Sequence, residues 1–154
     1  MRLWRICRQI HAAAAFSGEG ARMFGGRWNS QGVRVVYTSS SLALAAVETF
    51  VHLEPNLRPD DLVSIEIEIP KNIATAIERL EPNSLPGKWF ELRDESLRTF
   101  GDHWIKSGKT TALYVPSAAI HGEWNALLNP EHPDFRKFRI EKPKPFEFDL
   151  RMFG

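Results

Sequence analysis

The stretch GGRWNSQGVRVVYTSSSLALAAVE, residues 25–48, decides how the chain is read. It opens on a glycine pair followed by one cation, Arg27. Arginine in a glycine-rich turn suits a planar anion such as a phosphate or carboxylate, and it serves equally to pin loop carbonyls. Glycine permits positive φ and close backbone approach, and residues 16–32 hold five: Gly18, Gly20, Gly25, Gly26 and Gly32. Neither Gly-x-x-x-x-Gly-Lys-Ser/Thr nor Gly-x-Gly-x-x-Gly occurs, so this is not one of the common phosphate-binding loops. The β-branched content that follows predicts a strand over 33–39, with Val33, Val35, Tyr37 and Ser39 on one face. Ser39, Ser40 and Ser41 then offer N-caps for a helix running to about Leu53.

That helix is apolar around most of its circumference, which predicts burial. The exception is a stripe of Ser41, Ala45, Glu48, Thr49 and His52. Glutamate is almost never buried without a partner, because an uncompensated carboxylate costs several kcal/mol or takes up a proton. Glu48 therefore belongs either to a solvated stripe or to a cleft. A cation, an aromatic ring and a carboxylate on three consecutive elements can line one such cleft. Tyr37 also fits a core tyrosine with a satisfied hydroxyl.

Working outward, Leu3–Arg8 predicts a first strand, with Arg5 at a sheet end or facing a cleft. Leu62–Ile69 alternates, Val63, Ile65, Ile67 and Ile69 inward and Ser64, Glu66 and Glu68 outward, as a half-exposed strand does. Residues 73–80 predict a further strand and Glu81–Lys88 a loop. Leu97, Phe100, Trp104 and Ile105 recur at helical spacing within Glu91–Ser107, and Gly108 suits a C′ stop. Thr111–Val115 predicts a strand ended by Pro116. A loop over Pro116–Pro130 follows, with one helical turn at Glu123–Leu128. Phe135–Ile140 and Phe146–Leu150 predict closing strands around a Lys142–Pro145 linker. The expected fold is α+β: one domain over residues 1–154, a mixed, largely antiparallel sheet and flanking helices.

Composition narrows the partners. Twenty basic against nineteen acidic residues leave a net charge of +1, which gives no basis for strong nonspecific nucleic-acid binding. The single cysteine, Cys7, cannot form an internal disulfide, so a reducing compartment is the default. Arg5, Arg8 and His11 interrupt the apolar N-terminal run, and no window approaches the ~20 apolar residues of a membrane span. A soluble, cytoplasmic protein with no membrane contact is expected. The five histidines form no HExxH and no His/Cys cluster, so no metal is expected. Ser117 follows Val115-Pro116 as a positioned hydroxyl or a turn residue, and the Gly-x-Ser-x-Gly elbow of a hydrolytic serine is missing.

The chain resembles the RES-domain family, toxin halves of bacterial toxin–antitoxin pairs. The resemblance rests on Gly25–Asn29 with Gly32, Val35–Ser39, Leu42–Glu48, Val115–Ser117, and Glu123–Asn125 through Asn129–His132. It implies an ADP-ribosyltransferase-like fold and consumption of NAD+ by cleavage of the nicotinamide–ribose bond, with water, phosphate or a protein side chain as acceptor. By the same resemblance Arg27, Tyr37 and Glu48 are catalytic, and Arg27, Tyr37, Ser117 and Asn125 bind the NAD substrate. Glu48 is expected to hold the ribose hydroxyls, Arg27 to bind the pyrophosphate or anchor Glu48, Tyr37 to stack on nicotinamide, and Ser117 to orient one of them. The implied partner is an antitoxin with a helix-turn-helix DNA-binding domain, in a complex that can be oligomeric. The alternative is a catalytically silent binding module that keeps the cleft to hold its partner.

Overall fold

The computed structural model describes residues 1–91 and 95–154. Its sheet is built from β1 (Arg2–Arg8), β2 (Val36–Ser39), β3 (Leu62–Glu68), β4 (Glu78–Arg79), β5 (Ala112–Pro116), β6 (Trp124–Leu128), β7 (Arg139–Ile140) and β8 (Lys144–Pro145). The lateral order is β4-β5-β6-β2-β1-β3-β7, with β8 also beside β3. Every pairing is antiparallel except the parallel β4–β5 edge. The mixed, largely antiparallel α+β architecture expected from the sequence is therefore present.

Directly opposed residues of antiparallel strands share a face, so register divides the core into two layers. Leu3 opposes Ile67 and Cys7 opposes Val63, and this face packs on Ala15, Phe16, Ile73 and Phe138. Leu113 opposes Leu127, and that face packs on Trp28, Trp89, Leu97 and Trp104. The helices are α1 (Glu19–Phe24), α2 (Leu42–Phe50), α3 (Lys71–Ala74) and α4 (Glu95–Ser107). Residues 92–94 of the expected Glu91–Ser107 helix lie outside the described residues. Gly108 ends α4 with φ +59°, the left-handed conformation of a C′ glycine.

Four stretches depart from expectation, each for its own reason. The helical turn expected at Glu123–Leu128 is instead strand β6, between β5 and β2. Ala126, Leu127 and Leu128 are all buried, so both faces are apolar and no alternation marks the strand. The 73–80 strand resolves into α3, which starts after Pro70, and the two-residue β4. Over Phe135–Ile140 only Arg139–Ile140 pairs, because His132 caps a 3-10 turn at Pro133–Lys137 by accepting from the Asp134 N–H. The Lys142–Pro145 linker supplies β8, with Pro145 at a sheet edge where its missing N–H is tolerated. Phe146–Leu150 is then not a strand, and a 3-10 turn follows at Leu150–Phe153.

Helix α2 corrects a fifth. Ser41 caps it through a hydrogen bond from the Leu44 N–H to Ser41 Oγ at 3.0 Å, but it ends at Phe50 and only Leu44 and Ala45 are fully buried. Ala45, Glu48 and Thr49 of this helix line a cleft, while Leu42 and Ala43 are exposed.

Candidate functional site

β1 is joined to its two neighbours very unequally. Seven residue pairs link it to β3, from Arg2 opposite Glu68 to Arg8 opposite Leu62. A single pair, Trp4 opposite Ser39, links it to β2. Where β1 and β2 part, a cleft of about 870 Å³ is lined by Trp4, Arg5 and Ile6 from one strand and Tyr37, Thr38 and Ser39 from the other. This volume falls within the range of ligand pockets. The side chain of Arg5 bridges the gap, its Nη1 donating to the Tyr37 carbonyl at 2.9 Å. Its Nε is buried without a hydrogen-bond partner, and burial lowers the guanidinium's pKa from the ordinary arginine value. Of the two places expected for Arg5, the structure chooses the cleft.

Glu48 faces into the cleft wall rather than onto a solvated stripe. Its Oε1 accepts from Ser117 Oγ and from Asn125 Nδ2, both at 2.6 Å. Asn125 in turn accepts at Oδ1 from Ser39 Oγ at 2.7 Å, a contact prepared by the β2–β6 register that sets Ser39 opposite Asn125. Ser117, 1% exposed, accepts at Oγ from the N–H groups of Ala119 and Ile120 at 3.1 and 3.0 Å. With both acceptor sites taken by backbone donors, the hydroxyl proton is committed to the carboxylate. Among the described residues every hydrogen bond to this carboxylate falls on Oε1, which leaves Oε2 for the cleft. Of the rest of the stripe, Thr49 and His52 also line the cleft: Thr49 donates to the Ala45 carbonyl, and the exposed His52 contacts the Glu48 carbonyl through Nδ1 at 2.7 Å.

Tyr37 is a cleft residue and a satisfied tyrosine at once. Its hydroxyl accepts from the Trp28 N–H at 3.1 Å and donates to Asn29 Oδ1 at 2.7 Å. Asn29, wholly buried, sends Nδ2 to the carbonyls of Ala21, Ser30 and Val33, so one side chain ties the glycine-rich loop together. Gly26 is required here, since a Cβ would stand 2.6 Å from Tyr37 Oη. Burial is the main cause pushing the Tyr37 pKa well up, with the Asp102 charge adding to it. Arg27 likewise combines its two readings: it lines the cleft, and its Nη1 donates to the Phe90 carbonyl at 3.3 Å. Arg98 lines the same cleft and donates through Nε to the Gly26 carbonyl.

The structure thus brings Arg27, Tyr37, Glu48 and Asn125 to one cleft, with Ser117 behind its wall and reaching it through Glu48. Arg98, Ser39 and Asn29 escaped the sequence reading. Ser39 was indistinguishable from its neighbours as an N-cap, although one cap needs only one of three consecutive serines. Asn29 is silent in a sequence because its four hydrogen bonds go mostly to backbone. Among the described residues no group of three or more His, Cys, Asp or Glu side chains is placed to hold a metal ion, and no helix is long and apolar enough to cross a membrane.

A largely antiparallel sheet opened at one seam, with a hydrogen-bonded glutamate beside the opening, defines a cleft-bearing α+β domain with its polar groups gathered at the seam. The chain belongs to the RES domain family, whose model matches residues 2–150. It is 39% identical to a protein of Sphingobium sp. named "Prs ADP-ribosylating toxin", over 97% of this chain and 94% of the relative. It is 33% identical to "Toxin Res" of Yersinia enterocolitica, over 99% of each. A chain in the crystal structure of the M. tuberculosis MbcT-MbcA toxin–antitoxin complex superposes with a TM-score of 0.66 at 17% identity, over 99% of this chain and 86% of that one. That last likeness is one of fold.

Proposed function

We propose that the chain is a toxin that consumes NAD+ by breaking the nicotinamide–ribose bond, with Glu48 as the central catalytic group. The observation that carries this reading is a carboxylate fixed through one oxygen, on the wall of a cleft that also holds Arg5 and Arg27. The relatives named "Prs ADP-ribosylating toxin" and "Toxin Res" support it.

Cleavage of an N-glycosidic bond passes through an oxocarbenium-like state, in which positive charge builds on the ribose. A preorganised carboxylate stabilises that charge with no reorganisation at the moment of reaction. Glu48 Oε2 accepts from the ribose hydroxyls and faces the developing cation, while Ser117 and Asn125 keep Oε1 still. Arg27, with Arg5 across the seam, meets the two charges of the pyrophosphate. The Tyr37 ring packs on nicotinamide, and its committed hydroxyl takes no part in proton transfer. Nicotinamide leaves neutral, and water, phosphate or a protein side chain takes the ribosyl carbon.

The partner under this reading is an antitoxin with a helix-turn-helix DNA-binding domain whose C-terminal part covers the cleft, in an oligomeric cytoplasmic complex. The likeness to a chain of a toxin–antitoxin complex supports an antitoxin as the partner. A net charge of +1 fits a toxin that leaves DNA contact to its partner. Expression without an antitoxin tests the function: growth arrest with falling cellular NAD+ is expected, and neither is expected with Glu48→Gln. Harmless accumulation of the wild-type chain with steady NAD+ would instead make it a silent binding module. Mass spectrometry of the ADP-ribose product, with and without phosphate, identifies the acceptor.

A further inference from the structure

We propose that Ser39 is a positioning residue for Glu48, acting through the amide of Asn125. The two ends of an asparagine amide have nearly the same shape, and the hydrogen-bond network alone decides which end points where. An ionised carboxylate only accepts, so Asn125 must present Nδ2 to Glu48 Oε1, at 2.6 Å. Its Oδ1 then faces back into the sheet, where the Ser39 hydroxyl donates to it at 2.7 Å. Without that donor the carbonyl oxygen of the half-buried Asn125 loses the hydrogen bond that orients it, and a flipped amide would set one acceptor against another at Glu48. Donation to Oδ1 also polarises the amide, which makes Nδ2–H the stronger donor.

A second, independent feature puts Ser39 in control of this geometry. It is the one β2 residue paired to β1, opposite Trp4, and in the same strand it opposes Asn125 on β6. Its backbone is therefore held from both sides at the point where the seam begins to open. With the side chain 4% exposed, water does not readily replace the lost donor. Ser117 reaches the same oxygen of Glu48 by a separate route, anchored by the loop amides of Ala119 and Ile120. The carboxylate is thus held from two directions, and Ser39 terminates one of them.

The activity arm of the test rests on the proposed NAD+ cleavage, and a spectroscopic arm does not. Ser39→Ala is expected to lower kcat roughly tenfold with KM within about twofold, the size of one hydrogen bond lost in a charged network. Ser39→Thr, which keeps the hydroxyl, restores most of the lost turnover. In an Asn125→Ala background the Ser39→Ala change has no further effect. In the unliganded protein, the side-chain NH₂ signals of Asn125 in a ¹⁵N–¹H spectrum shift on Ser39→Ala and stay near wild type in Ser39→Thr. A Ser39→Ala kcat equal to wild type overturns the proposal, as does a loss that persists without Asn125. If the wild-type protein consumes no NAD+, the proposed function fails and the Asn125 signals alone decide: unmoved signals reject the relay. Should Ser39→Ala not fold, Ser39→Thr takes its place, and Asn125 signals displaced there reject it equally.

Discussion

The two edges of β1 are made of the same backbone and do opposite things. Toward β3 it pairs along its whole length, and its inward residue Leu3 meets Ile67, both at 0% exposure. Toward β2 it pairs once and then parts, and the gap holds a buried guanidinium in place of a ladder. The first arrangement lowers free energy by removing apolar surface from water. The second leaves backbone unpaired and a cation poorly solvated, both of which cost free energy. A seam of this kind persists because the β3 side supplies the stability, and it opens a way for a ligand between two strands.

Substitutions on opposite sides of β1 should therefore separate stability from activity. Ile67→Ala leaves a cavity on the β3 side and should cost about 2–5 kcal/mol, a large share of the ~5–15 kcal/mol typical of a domain. Urea unfolding reads the loss, while NAD+ consumption per folded molecule stays at the wild-type value. Glu48→Gln is the mirror case, with turnover falling roughly 10²–10³-fold by analogy with losing one preorganised electrostatic group and the melting temperature little changed. A Glu48→Gln protein that turns over normally would remove the carboxylate from the reaction.

The same contrast explains what could be read from the sequence. β3 was legible because its inward positions alternate with Ser64, Glu66 and Glu68, a local pattern with a period of two. β6 was not, because Ala126, Leu127 and Leu128 are buried on both faces and short apolar runs carry no period. At the cleft, Glu48 stood out as a lone carboxylate on an apolar helix, and Arg27 as a cation among glycines. The groups that hold them still did not stand out. Ser39 and Asn29 owe their roles to partners eighty-six and eight residues away, and nothing in their immediate neighbours records those pairings. For Arg27, Tyr37 and Ser117 the bonds of the bland reading and a place at or behind the cleft occur together. Each makes the local bonds of the bland reading, and those bonds hold its remaining surface at or behind the cleft.

Arg5→Met tests the seam itself at smaller amplitude. Methionine keeps the apolar stem and removes a cation that, among the described residues, has only the Tyr37 carbonyl as hydrogen-bond partner. Replacing a poorly solvated charge by a hydrophobe of similar volume is often neutral or stabilising, so the melting temperature should hold or rise. The KM for NAD+ should rise about 10-fold or more, the loss of one hydrogen bond to a charged phosphate. A fall in stability with KM unchanged would make Arg5 a brace for β2 and nothing else.

Tyr37 gives the smallest and most specific effect, one that appears only in alkali. The unfolded chain releases a tyrosine proton near pH 10, whereas burial holds the folded phenol protonated to higher pH. Between those points the folded state carries the extra proton, so raising the pH favours unfolding. The stabilisation is complete below about pH 10 and is lost upward, by up to about 1.4 kcal/mol per pH unit. Tyr37→Phe removes the titrating group together with its bonds to Trp28 and Asn29, and so begins less stable at pH 8 by about 1 kcal/mol. Other alkaline groups, Tyr114 among them, are shared by both proteins and cancel in the difference. Urea unfolding from pH 8 to 11 should therefore show the gap between the two proteins closing above pH 10. A gap that stays constant would mean that the Tyr37 hydroxyl titrates as it does in water. The loop it holds against the seam would then be far looser than the hydrogen bonds through Asn29 require.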